Sequence, residues 1–143
     1  MPSATFTHTV TVPLSTAEMW ALLQDPRTWA AIGPLDEVRE PTSDDSGLAG
    51  FEWRATAAGR TWDGTARRDS VEAGTKMVLA LESSEMGGWI SAAVGSEGDG
   101  ASLEVTLHAR SVGMLASMFW GVVSGSLGRG LTTQVDALAK RLS

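Results

Sequence analysis

With 143 residues, 43% of them apolar, the chain is long enough for one domain with a real core and is neither disordered nor membrane-embedded. Its 11 basic against 17 acidic side chains leave a formal charge of −6, which argues against nucleic-acid backbones and anionic membrane surfaces as main partners. Cysteine and tyrosine are absent, so disulfides, thiolate chemistry and a tyrosine proton donor are excluded.

Thr5 to Val12 alternates strictly, with Phe6, His8, Val10 and Val12 on one face and four threonines on the other, which predicts a half-buried strand. Pro13-Leu14 ends it. Ser15-Thr16-Ala17-Glu18 reads as a capping box opening a helix with Met19, Trp20, Leu22 and Leu23 on its apolar side. Asp25-Pro26 stops that helix and caps a second, short one holding Trp29 and Ile32 before Gly33-Pro34.

From there to Arg110 turn signals recur at strand-plus-turn spacing: Thr42 to Gly47, Ala58-Gly59, Ala73-Gly74, Gly87-Gly88 and Gly98-Asp99-Gly100. Between them Phe51, Trp53 and Ala55 share a face, as do Trp62, Gly64 and Ala66, then Met77, Leu79 and Leu81, then Leu103, Val105 and Leu107. Around Trp89 to Val94 both faces are apolar or small, and the orientation of that strand stays open. Short spacers imply hairpins, hence an antiparallel meander with one apolar face.

Gly113 to Leu142 predicts one long helix, its apolar positions stepping by three and four. Leu115, Met118, Phe119, Val122 and Val123 centre on one side of it. Leu127, Leu131, Val135, Leu138 and Leu142 lie more than a right angle further round. Gly121, Gly125, Gly128 and Gly130 sit between the two groups, and each glycine inside a helix costs roughly 1 kcal/mol relative to alanine. Either the helix kinks near Gly125 to Gly130, or the glycines form a stripe approached closely by the sheet, a second subunit or a ligand. The whole is an α+β chain, a single domain over residues 1–143, whose sheet buries its apolar face against that helix. The start, Met1-Pro2-Ser3-Ala4, has no basic region leading into an apolar core, so no signal peptide is read. The most apolar window, Met114 to Val123, is half the ~20 residues a spanning helix needs. A cytoplasmic protein without membrane insertion is expected.

The stretch from Phe6 to Trp29, with its strand, Pro13, the helix bearing Trp20, then Asp25-Pro26 and Trp29, resembles the opening of the START-like helix-grip superfamily, also called SRPBCC. Its members include lipid-transfer domains, plant pathogenesis-related ligand carriers and bacterial proteins of the polyketide cyclase/dehydrase type, the branch this chain resembles. The element order matches over essentially the whole chain. The resemblance implies a helix-grip fold, a curved antiparallel sheet wrapped around the C-terminal helix, with an elongated apolar cavity between them. The family has no universal catalytic set, so the resemblance carries over no catalytic residue.

Among titratable groups only His8 falls on the inward face, where it could serve as a general base or bond a ligand carbonyl, although a histidine satisfied by a backbone carbonyl is the commoner arrangement. His108 falls on the polar side, beside Glu104, Thr106 and Arg110. Two histidines a hundred residues apart, without paired spacing, suit no metal, and no cofactor is implied. Gly125 to Gly130 superficially suggests a phosphate loop but matches neither phosphate-loop pattern. Glu52, Arg54, Asp63, Thr65, Arg67 and Asp69 alternate along two neighbouring strands and read as solvated cross-strand pairs; with the faces inverted they would make a polar, catalytic pocket. Trp53 and Trp62 are expected to point inward, Trp89 with them in one of the two orientations open to its strand, and Trp29 to sit near the helix pair, as core or as the lining for a flat apolar ligand.

Two functions stay open. In one, a carrier or sensor holds a small hydrophobic molecule, lipid-like or aromatic, against His8, Trp29, Trp53, Trp62, Met77, Leu79, Trp89, Leu107, Met118 and Phe119. In the other, a cyclase or dehydratase acts by acid–base catalysis on an aromatic polyketide-like substrate. A homodimer contact along the Gly121/Gly125/Gly128 stripe is compatible with either.

Overall fold

The computed structural model describes residues 2–32, 35–57 and 59–143. Among the described residues, seven antiparallel strands and four helices follow one another in the order β1 (Ser3–Val12), α1 (Thr16–Leu23), α2 (Pro26–Ile32), β2 (Glu37–Asp44), β3 (Gly47–Ala57), β4 (Arg60–Glu72), β5 (Lys76–Ser83), β6 (Met86–Glu97), β7 (Gly100–Ser111), α3 (Met114–Met118) and α4 (Trp120–Leu142). The expected stop at Gly33-Pro34, the Ala58 half of the Ala58-Gly59 turn and the side chain of Ile32 lie outside the described residues. The sheet runs β1-β7-β6-β5-β4-β3-β2 and curves around α4, the α+β helix-grip arrangement expected. Among the described residues no helix is long and apolar enough to cross a membrane.

The local rules of the first thirty residues hold. β1 pairs with β7 so that Phe6 faces Leu107 and His8 faces Val105 across the strands. Ser15 Oγ accepts from the Glu18 N–H at 3.1 Å and Glu18 Oε1 accepts from the Ser15 N–H at 3.0 Å, closing the capping box. Those bonds to Ser15 hold the Glu18 carboxyl below the usual carboxylate range. Asp25 Oδ1 accepts from the Arg27 N–H at 2.9 Å, with Pro26 as first residue of α2. Trp29, fully buried, donates from Nε1 to the Leu23 carbonyl at 2.9 Å and so ties α2 to the end of α1.

Two turns differ from expectation. The hairpin between β5 and β6 lies at Ser84-Glu85, where Ser83 Oγ donates to the Met86 carbonyl and accepts from its N–H. Gly87-Gly88 is therefore not a turn but part of β6. At φ +142° Gly88 lies against the backbone of β7, and a Cβ there would run into the His108 carbonyl oxygen. The Thr42 to Gly47 signal is shorter than read, because β2 continues to Asp44. The mostly exposed β2 is an edge strand, bulged between Arg39 and Thr42 where Glu40 takes φ +52° and Pro41 follows. A bulge with proline blunts a sheet edge.

The hairpin of β2 and β3 is fastened from inside the sheet. Arg68 on β4 donates to the Leu48 carbonyl at 3.0 Å and, through Nη2, to Asp44 Oδ2 at 2.6 Å. The Arg68 guanidinium, helped by the Ser46 N–H, holds the Asp44 carboxyl below the usual carboxylate range. A carboxyl lowered in the folded chain stabilises it above the unfolded-state value, and the gain disappears as pH falls through the folded one. Asp44→Asn should therefore lower the melting temperature at neutral pH and match the wild type in strong acid, as thermal melts across the acid range will show.

The C-terminal helix is not one piece. It breaks at Phe119, whose φ −110° and ψ 24° leave the helical basin, and α4 then runs unbroken through Gly125 to Gly130, so the chain divides before the glycines and not at them. The buried face of α4 is Val123, Leu127, Leu131, Val135 and Leu138. Leu131 and Val135 are fully buried, each contributing roughly 1.5–3 kcal/mol by removal from water. Leu115, Met118, Phe119 and Val122 do not join that core; they are 41%, 67%, 43% and 59% exposed. This accounts for the angle between the two apolar groups. The glycine stripe divides too: a Cβ on Gly128 would stand 2.7 Å from the Phe6 ring on β1, while one on Gly121 would meet nothing within 4 Å.

Candidate functional site

Between the inward face of the sheet and α4 lies a small cavity of about 30 Å³, walled among others by Trp53, Leu81, Met86, Ile90, Leu107 and Leu127, with Leu35 closing it from the segment after α2. The alternation of each strand brings these side chains together. Trp53 of β3 stands opposite Gly64 of β4, and a Cβ on Gly64 would collide with the indole, so glycine there lets the ring lie across the neighbouring strand. Trp53 Nε1 donates to the Thr65 carbonyl at 2.8 Å, which leaves its ring as apolar wall. A cavity of this volume has room for one or two waters, but an apolar lining gives them no partners. The space is closed down by its own side chains.

The expected site residues separate into groups. Trp53 and Leu107 wall the cavity. Met77 and Leu79 are fully buried on the same sheet face but lie outside its walls. Gln24 at the end of α1 reaches Met77, its Nε2 3.7 Å from the sulfur. Trp29 packs between the two short helices, as expected. Trp62 is buried and forms, with Phe119, part of a separate outer groove. Met118 projects into solvent. Trp89 does not point inward: Ile90, Ala92 and Val94 take the inward face of β6, and Trp89 stacks on His108 across the outer face with ring centres 5.7 Å apart.

His8 faces α4, not a cavity. Its Nε2 lies 2.6 Å from Asp136 Oδ1, so a carboxylate on the helix, not a backbone carbonyl, satisfies it, and the pair clasps β1 to α4. Nor is His8 alone among inward titratable groups. Arg68 shares that face, paired in register with Leu79, and turns to the β2–β3 hairpin. His108 borders the cavity from its strand backbone while its Nδ1 meets Thr5 Oγ1 at 2.8 Å on the outer side.

Unlike Arg68, the charged residues Glu52, Arg54, Asp63, Arg67 and Asp69 of β3 and β4 stay on the outer face, as the alternation predicts. Arg54 Nε donates to Asp63 Oδ1 at 2.9 Å, with Arg39 and Glu37 of β2 nearby. Arg54 first, then Arg39, holds the Asp63 carboxyl below the usual range. These side chains form no inverted polar pocket. Among the cavity walls, sequence reading missed Leu35, Leu81, Met86, Ile90 and Leu127 as site residues. Leu127 has the helical spacing that could have found it, whereas a turn placed at Gly87-Gly88 hides Met86.

A family model described as polyketide cyclase/dehydrase and lipid transport matches residues 3–143. No curated protein matches closely enough by sequence to count as a relative. Among solved structures, a START superfamily protein from Mycobacterium smegmatis is similar over 97% of this chain and 99% of its own, at TM-score 0.74 and 12% identity. A protein from Thermus thermophilus is similar over 97% of both chains, at TM-score 0.71 and 12% identity. The Zhui aromatase/cyclase from Streptomyces sp. R1128 is similar over 98% of this chain and 86% of its own, at TM-score 0.64 and 17% identity. At such identities the likeness is one of fold.

Proposed function

The chain belongs to the polyketide cyclase/dehydrase and lipid transport family, and from that premise we propose that it binds a small hydrophobic molecule, lipid-like or aromatic, between the sheet and α4. The observation that carries this reading is the cavity itself. It sits where the two layers meet, its walls are hydrocarbon and aromatic ring, and the polar atom of its largest wall, the Trp53 N–H, is already bonded to Thr65.

Burial of ligand against such walls contributes about 25 cal/mol per Å² of apolar surface. The cavity as it stands is too small for a ring, so binding requires its walls to move apart. The break at Phe119 supplies a place for that: α3 and the start of α4 bury few side chains, and the segment is held to the β5–β6 hairpin chiefly by Glu85. The Glu85 carboxylate accepts from the Ala116 N–H at 2.9 Å, and its carbonyl accepts from the N–H groups of Val112 and Gly113. Acid–base catalysis would need at least two polar side chains converging on the ligand, and among the described residues the cavity walls present none. The histidine–carboxylate pair, His8 with Asp136, stands outside those walls. Carriage of the ligand is therefore the reading we favour over cyclisation or dehydration.

Native mass spectrometry tests it, on protein purified from its own source and after incubation with a fatty acid, a fatty alcohol and a flat aromatic hydrocarbon. The expected result is a one-to-one hydrophobic adduct. Bare protein mass under every condition would overturn the proposal.

A further inference from the structure

The apolar residues that α4 leaves outside its core are not scattered. Val112, Met114, Leu115, Met118, Phe119 and Val122 cluster around the helix break, all at least 41% exposed. Contiguous exposed apolar surface of this kind marks an interaction site. Between the cluster and the start of β4 runs a groove of about 200 Å³, lined by Arg60, Trp62, Leu115, Phe119, Val122 and Val123. Trp62 and Val123 belong to the buried core, 6% and 1% exposed, and floor the groove, and Trp62 stands in register with Ala55 of the cavity wall. Among the described residues Arg60 is the one charged member of this lining. Its guanidinium carbon stands 5.8 Å from the Phe119 ring centre, within cation–π range. Among the described residues Arg60, like Arg67, Arg110, Arg129 and Arg141, has no carboxylate within ion-pair distance, and of these five it is the one that lines this groove.

We propose that this groove is the port of the ligand site and that it selects an amphipathic carboxylate, whose apolar part lies on Trp62, Phe119 and Val122 while its head pairs with Arg60. The proposal rests on the ligand-binding reading above and adds the ligand's charge and its point of entry. A planar guanidinium presents donors in a fork that matches a carboxylate with two parallel bonds, which a neutral alcohol cannot use. The chain's net charge of −6 repels anions in general, so an arginine without an acid partner beside an apolar groove gives a local preference that the overall charge does not. The cation–π contact holds the guanidinium at the rim before ligand arrives.

Decanoate and decanol, the same chain with and without the carboxylate, test this by calorimetric titration of the intact protein. Arg60 is exposed, so Arg60→Gln and Arg60→Lys leave the core untouched. The expected result is that decanoate binds more tightly than decanol, that Arg60→Gln weakens decanoate about fivefold, the upper end for a solvent-facing ion pair, and that decanol is unmoved. Arg60→Lys should restore part of the loss, added salt should weaken decanoate alone, and Arg110→Gln, on an exposed site of β7, should change nothing. If decanol and decanoate bind equally, or Arg60→Gln leaves their ratio as it was, the carboxylate port is wrong while the ligand-binding reading stands. If neither probe binds, the carboxylate port falls, and the ligand-binding reading then stands or falls on the aromatic probe.

Discussion

Trp53→Ala should cost about 3–5 kcal/mol of folding stability, the range for removing a buried tryptophan ring, and should turn the narrow cavity into one that takes up indole. Both effects follow from one position. The ring is buried, lies over Gly64, and separates the cavity from β4, so its loss merges the ring's volume with the existing 30 Å³. The surrounding strands are held by their ladders and relax little. The Thr65 carbonyl loses its 2.8 Å bond as well, and a free indole can restore it. Added indole should therefore raise the melting temperature of the variant by several degrees through mass action and leave the wild type unchanged. A loss of under about 1 kcal/mol, well below that range, would show that the sheet collapses onto α4 without this ring. Failure of indole to rescue would show that the space is not retained.

Gly88→Ala should be nearly as damaging, at about 3 kcal/mol or more, although it adds a single methyl group. Two penalties coincide there. The backbone at φ +142° is one that residues with a Cβ rarely adopt, and the new atom would be driven into the His108 carbonyl, which belongs to the neighbouring strand and has no rotamer to escape by. Relief requires β6 and β7 to part at Gly88 and Ala109, beside the cavity wall at Gly87 and Ala109. Alanine at Gly121, with open space around it, should by contrast be tolerated. Denaturant unfolding of the two variants side by side reads the difference; equal stability would mean that the sheet yields at Gly88 without cost.

The contrast between those glycines also shows where sequence reading stops. Strict alternation identifies β1, the inward faces of β3, β4 and β5, and the odd-numbered core of β7, because each of these strands has one wet and one dry side. Caps at Ser15 and Asp25 are local chemistry and are legible residue by residue. β2 has no dry side to advertise it, and its bulge at Glu40-Pro41 breaks whatever period remains. Gly87-Gly88 looks the same whether it turns the chain or admits a neighbouring backbone; the discriminating atom, the His108 carbonyl, belongs to a strand far along the chain. The first apolar group of the C-terminal helix reads as core because hydrophobicity does not say which partner covers it. For the site, the wall residues Trp53 and Leu107 follow from the alternation, but the cavity's size depends on how the Trp53, Leu81, Ile90 and Leu127 side chains interlock. His8 falls on the correct face by its spacing, and its partner Asp136 can be named only once α4 is laid against β1.

The measurement that bears most directly on ligand binding between sheet and helix is a methyl NMR titration of the wild-type protein with naphthalene and with decanoate. The account predicts that at least one of them shifts the methyl signals of Leu81, Ile90, Leu107 and Leu127 together, saturating at one equivalent. Shifts confined to Leu115 and Val122 on the outside, or no shifts at all, would contradict it.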